Sequence, residues 1–192
     1  MNKKGTFTKN ILHITTKTEW RNWLKKNFKT ESEAWLVYHK KGTGKPRIQY
    51  NDAVEEAICF GWIDSIVRKL DDKSIIQRFS RRSLKSKYSQ ANKVRLRSLV
   101  KEKKVHKEVL ESLGAILKEK YVMPNDIILS IKTNRLAWKN FQKYSPQYQE
   151  IRIAFIDGAR KRPNEFSKRL NYFIKMTEEN KVIGFGGIDK HY

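Results

Sequence analysis

In TKTEWRNWLKKNF, Trp20, Trp23, Leu24 and Phe28 recur at helical intervals while Lys25, Lys26 and Lys29 fall on other sides, so one apolar stripe is predicted. Thr16 stands three residues before Glu19, the spacing of a capping box that satisfies backbone donors at a helix start. Upstream, ILHI (residues 11–14) predicts a short strand, and AWLVYHK (residues 34–40) a second. KGTGKPR (residues 41–47) follows. Its two glycines and one proline preclude regular structure, and it resembles a phosphate cradle only superficially, because a P-loop needs GxxxxGK[ST] opening a helix. A mobile connection is expected.

YNDAVEEAICFG then predicts a helix, with Asp52 as its cap, Glu55 at the third helical position, Val54, Ala57 and Ile58 as the buried stripe, and Gly61 as terminator. WIDSIVRKL and SIIQRFS read as two strands of a hairpin turning over residues 70–74. Ser89 is a candidate N-cap for a helix bearing Val94, Leu96, Leu99 and Val100, and a second periodic run holds Val105, Val109, Leu110, Leu113, Ile116 and Leu117. Beyond residue 120 the signals are all helical. Pro124 suits the first position of a helix to about Ile131, RLAWKNFQKY gives another, Ser145 with Pro146 opens a third, and Pro163 opens the last, carrying Phe166, Leu170, Phe173 and Ile174. VIGFGGIDKHY is a Gly-rich tail. The expectation is an α+β fold: a small antiparallel sheet with packed helices in residues 1–120, then an all-helical extension in residues 121–192.

At 192 residues with 39% hydrophobic content the chain can bury roughly two thirds of its unfolded surface, so a real core is expected. Cys59 is the only cysteine, which excludes an internal disulfide. It lies among apolar neighbours, so a buried structural thiol is expected rather than a nucleophile. His13, His39, His106 and His191 have no metal-binding spacing, and neither a metal nor a cofactor is expected. No stretch approaches the length of a transmembrane helix, and the basic start leads into no signal-peptide core, so a cytoplasmic location is expected.

Charge changes the picture most. The formal net charge is +22, far outside the usual range for a chain this size, and an anionic partner is expected: nucleic acid or an acidic protein surface. Residues 68–107 hold fifteen Lys or Arg against Asp71, Asp72 and Glu102, where a uniform spread would place about nine. Within them, residues 78–98 contain no acid at all. Arg78, Arg81 and Arg82 fall where a strand ends, and Ser83, Ser86, Ser89 and Asn92 lead into a helix start, whose free N–H groups favour an anion. The competing reading is internal: Arg81 or Arg82 pairs with Asp64, Glu55 or Glu56, and Ser89 only caps its helix. A third makes Asp64 a general base beside an arginine-held anionic substrate, although no Ser-His-Asp arrangement or metal set can be assembled from spacing.

YNDAVEEAICFGWIDS, RFSRRS and SQANKVRL together resemble the bacterial YdeI/OmpD-associated, or bacteriocin-protection, family. Tyr50, Glu55, Glu56, Cys59, Gly61, Trp62, Ile63 and Asp64 match its pattern, as do Arg78, Phe79, Arg81, Arg82, Ser83, Ser86, Ser89 and Asn92. FIDGARKRPNEFSKRLNYFI resembles its helical C-terminal unit. The resemblance spans most of residues 11–180 and implies a YjbR/CyaY-like α+β sandwich with a helical extension. It also implies protection against bacteriocins or cationic antimicrobial peptides and association with an outer-membrane porin, without a defined molecular activity; as no second partner for catalysis is visible in the sequence, a stress-resistance protein that is not an enzyme is expected. Tyr88 stands where the family usually has tryptophan, and Lys103 stands where a helix-breaking glycine is common, a change that can join two helices.

Overall fold

In the computed structural model, which describes residues 10–83 and 86–184, the capping box forms as expected. Thr16 accepts from the Glu19 backbone N–H while the Glu19 carboxylate accepts from that of Thr16, opening α1 (Lys17–Asn27). Before it, β1 is only Ile11–Leu12. β2 (Glu33–His39) and α2 (Tyr50–Cys59) follow, then the hairpin of β3 (Trp62–Lys69) and β4 (Ser74–Arg81). The sheet order is β1-β2-β4-β3. β2 and β3 flank β4 antiparallel, but β1 runs parallel to β2, so the sheet is mixed and not purely antiparallel. The parallel pairing follows because α1 returns the chain to the same end of the sheet before β2 begins.

The α1 stripe meets the sheet through aromatic contacts. Trp20 packs edge-on against Phe79 at 5.5 Å and Trp62 at 6.4 Å, and its indole N–H donates to the Ala53 carbonyl at 3.0 Å. Trp62 in turn donates to the Phe28 carbonyl. These large rings are fully buried and each indole has a polar partner, the condition for burying tryptophan without loss. Trp35, Val37 and Ile76 form a separate buried cluster, joined by Ile11.

Two helix starts differ from expectation. Gln49, not Asp52, precedes α2, with no side-chain cap, and Asp52 lies inside the first turn. Pro124 precedes the helix Asn125–Lys132 instead of entering it. Gly61 follows α2 with φ +70°, as a terminator requires. The helices after the hairpin are α3 (Gln90–Lys101), α4 (Lys107–Ser112), α5 (Gly114–Lys118), α6 (Asn125–Lys132), α7 (Arg135–Phe141), α8 (Pro146–Asp157) and α9 (Pro163–Glu178). Lys103 does not join α3 to α4. It takes φ +56°, the conformation glycine favours, and the chain breaks there.

The described chain divides into two compact units: Met1–Lys87 with Leu99–Leu113, and Tyr88–Ser98 with Gly114–Tyr192. The first holds the sheet with α1 and α2. In the second, Ile127, Ile131, Phe141, Tyr148, Ile153 and Phe173 form a helical core, and Ala91 and Val94 of α3 pack on Ile151. Of the Gly-rich tail, residues 185–192, and His191 with them, lie outside the described residues.

Candidate functional site

Strand alternation separates the arginines that the sequence places together. Arg78 and Arg81 are three residues apart on β4 and therefore point to opposite faces. Arg78 reaches Glu33 on β2, with Nη2 and Nε at 2.6 and 2.7 Å from one carboxylate oxygen. The Trp35 indole N–H and then Arg78 hold the Glu33 carboxyl below its usual range. Arg82 turns onto the chain that follows, donating to the carbonyls of Ser86 at 3.3 Å and Lys87 at 3.2 Å, while its own backbone N–H bonds Gly61. The Ser86 N–H donates to the Ser83 carbonyl at 2.9 Å. Arg81 is exposed at the strand end, and no carboxylate among the described residues pairs with it.

Ser89 and Asn92 belong to the helical unit and serve α3. The Ser89 hydroxyl accepts from the Asn92 N–H at 3.2 Å, the expected cap, and the Asn92 side-chain oxygen accepts from Arg95. Further along, Lys93 pairs with Glu119 at 2.7 Å, and Arg97 reaches both Glu150 at 3.5 Å and the Glu119 carbonyl at 2.6 Å. A run without acids in sequence thus draws acids from other elements.

The carboxylates proposed for Arg81 and Arg82 are also engaged. Glu55 and Glu56 are only 1% and 2% exposed on α2. Lys17 of α1 lies 3.4 Å from Glu55, 3.5 Å from Glu56 and 3.8 Å from Asp52. Burial alone would lower the Lys17 pKa, but the three acids, Glu56 foremost, more than reverse this and leave it above its ordinary value. Arg21 donates to Glu56 at 2.6 Å and to the Lys104 carbonyl at 2.8 Å. Asp64 accepts from the Tyr50 hydroxyl at 2.6 Å. Among the described residues, the alternative pairing of Arg81 with Asp64, Glu55 or Glu56 is not formed. α1 supplies the cations for Glu56, and a phenol fills the place by Asp64. Cys59, one turn beyond Glu56, is buried, and burial pushes its thiol up to about 12, so it is a structural thiol.

A concave region lies elsewhere. A cavity of about 850 Å³ opens between the loop after β2 and the hairpin turn, with His13 and His39 among its walls. Sequence spacing gives no signal for it, because its walls come from three separated segments. Its one visible trace is the lysine- and glycine-rich loop of residues 41–47. Among the described residues, no three His, Cys, Asp or Glu side chains are grouped to hold a metal ion, and no helix is long and apolar enough to cross a membrane.

Residues 12–112 match the family described as a domain of unknown function (DUF8412), and residues 120–180 match the family described as Bacteriocin-protection, YdeI or OmpD-Associated (OmdA). No curated protein and no solved structure matches the chain. The motif around Cys59 and Trp62, and the arginines after it, thus fall in the first family, while the helices from α6 to α9 fall in the second. Residues 120–180 are similar to the OmdA family, and by the match over more than half its length the chain belongs to the DUF8412 family.

Proposed function

We propose that the chain is a non-enzymatic, cytoplasmic protein of stress or bacteriocin resistance that binds an extended polyanion through its basic surface, on a YjbR/CyaY-like α+β scaffold. One observation carries this reading: 42 Lys and Arg face only 20 Asp and Glu, so a net charge of +22 stays uncompensated however the chain folds. Burying the excess cations is prohibitive, and at the surface they build a positive field that attracts phosphate-bearing polymers. Within the α+β unit the contact falls on Arg81 and Lys87, both exposed, the second with its carbonyl held by Arg82.

The test is binding of labelled duplex DNA by fluorescence anisotropy across a salt series. Affinity falls with a log–log slope of about 0.9 per phosphate neutralised, and Arg81→Glu with Lys87→Glu lowers both affinity and slope, the slope by about 1 for each phosphate that the variant no longer neutralises. A flat salt dependence, or no binding at low salt, removes the nucleic-acid form of the reading. Binding of polyglutamate without DNA moves the partner to an acidic protein surface.

A further inference from the structure

The cavity beside the hairpin turn is built by the ends of two strands. At the end of β2, His39 faces Ser74 of β4 in register, and His39 Nδ1 and the Ser74 hydroxyl share a hydrogen bond of 2.9 Å. The Lys40 N–H donates to the Lys73 carbonyl at 2.9 Å, tying the loop after β2 to the hairpin. Arg47 closes the base of that loop by donating to the His39 carbonyl at 2.7 Å. The loop between these ties runs through Gly42 at φ +91° and Gly44 at φ +67°. At both glycines a side chain would meet open space, so their conformation and not crowding calls for glycine. The result is a loop braced at both ends.

The walls have two characters. Lys40, Lys41, Lys45 and Lys73 bring four ammonium groups, and His13 stands 6.1 Å from His39, ring to ring. On the opposite lip, Asp72 is already paired with Lys69, and Asp71 accepts from the Lys73 backbone N–H at 2.7 Å. That backbone bond is the first cause holding the Asp71 carboxyl below its usual range. Four lysines around one cavity suit a compact, multiply charged anion, since each ammonium acts as a point charge and several can converge on the oxygens of one phosphate. At about 850 Å³ the space far exceeds one phosphate group, and the anionic lip can accept hydrogen bonds from hydroxyls.

We infer that this cavity binds a small phosphomonoester whose organic part carries hydroxyl groups, with the phosphate toward Lys41 and Lys45 and the hydroxyls toward Asp71. This site is separate from the polyanion contact at Arg81 and Lys87 and does not depend on it. Isothermal titration of the full chain with AMP, inorganic phosphate and adenosine tests it. One AMP binds per chain, inorganic phosphate competes, and adenosine does not bind. Lys41→Glu with Lys45→Glu weakens AMP by about tenfold or more, as loss of charge-assisted bonds requires, while Arg81→Glu with Lys87→Glu leaves AMP unchanged. Circular dichroism confirms that the loop variant keeps its fold. Unchanged AMP affinity in the loop variant, equal binding of adenosine, or no AMP binding overturns the inference. DNA binding that survives those results leaves the polyanion reading standing, and saturable AMP binding without DNA binding does the reverse.

Discussion

Arg21 donates to Glu56 through one guanidinium nitrogen and to the carbonyl of Lys104 through the other, so a single side chain satisfies a buried acid on α2 and a backbone acceptor beyond α3. Glu56 is almost wholly buried, and a carboxylate stranded there has little water to turn to. Replacing Arg21 with methionine keeps most of the stem but leaves Glu56 with Lys17 at 3.5 Å. Breaking a buried pair costs about 3–5 kcal/mol, but the Arg21 side chain is 37% exposed, so the expected loss in urea unfolding is about 2 kcal/mol after allowance for solvent screening. Adding Glu56→Gln should restore part of that, because the stranded charge is then gone. A loss under about 0.5 kcal/mol for Arg21→Met would mean that Lys17 alone neutralises the acid. None of this network is legible along the chain. Lys17 and Arg21 share a face of one helix by spacing, but only the packing of α1 on α2 brings them to Glu55 and Glu56.

Helix ends show where sequence reading succeeds and where it stops. The capping box of Thr16 and Glu19, the Ser89 cap, and Ser145 with Pro146 were legible because each is closed within four residues. The Gln49 start of α2 was not, since Asp52 offers a better cap locally and the tertiary position of Tyr50 overrides it. The parallel placing of β1 was equally hidden, because a two-residue strand has no orientation signal of its own. At Lys103 a local rule is broken outright. The Lys104 N–H bonds the Leu99 carbonyl and the Lys103 N–H bonds that of Val100, the paired bonds of a Schellman ending, with lysine where glycine belongs. Asn180 closes α9 by the same pair of bonds at φ +55°, with a residue better suited to it. A left-handed lysine costs about 1–2 kcal/mol, offset in part by the entropy glycine would lose on folding. Lys103→Gly should therefore stabilise the chain by about 0.5–1 kcal/mol in urea unfolding. Destabilisation instead would show that the lysine side chain contributes more than its backbone costs.

The sum of the charges acts over the whole chain, beyond any one pair. Arg78, Lys93, Arg97 and Arg21 are each paired with a carboxylate, yet a net charge of +22 remains, and its self-repulsion opposes folding at every pH where lysine is charged. The basic run of residues 78–98 is thus a poor guide to where the excess lies, because folding brings acids such as Glu33, Glu119 and Glu150 to it from distant segments. Salt separates the two contributions. Raising ionic strength from about 0.01 to 0.15 M shortens the screening length from about 30 to 8 Å, which weakens repulsion between distant cations far more than close pairs such as Arg21 with Glu56. Exposed pairs lose little because they contribute little. The thermal midpoint in sodium chloride at neutral pH should therefore rise, by about 3 °C if screening recovers 1 kcal/mol. A midpoint that falls with salt would mean that local ion pairs outweigh the long-range field in holding the fold.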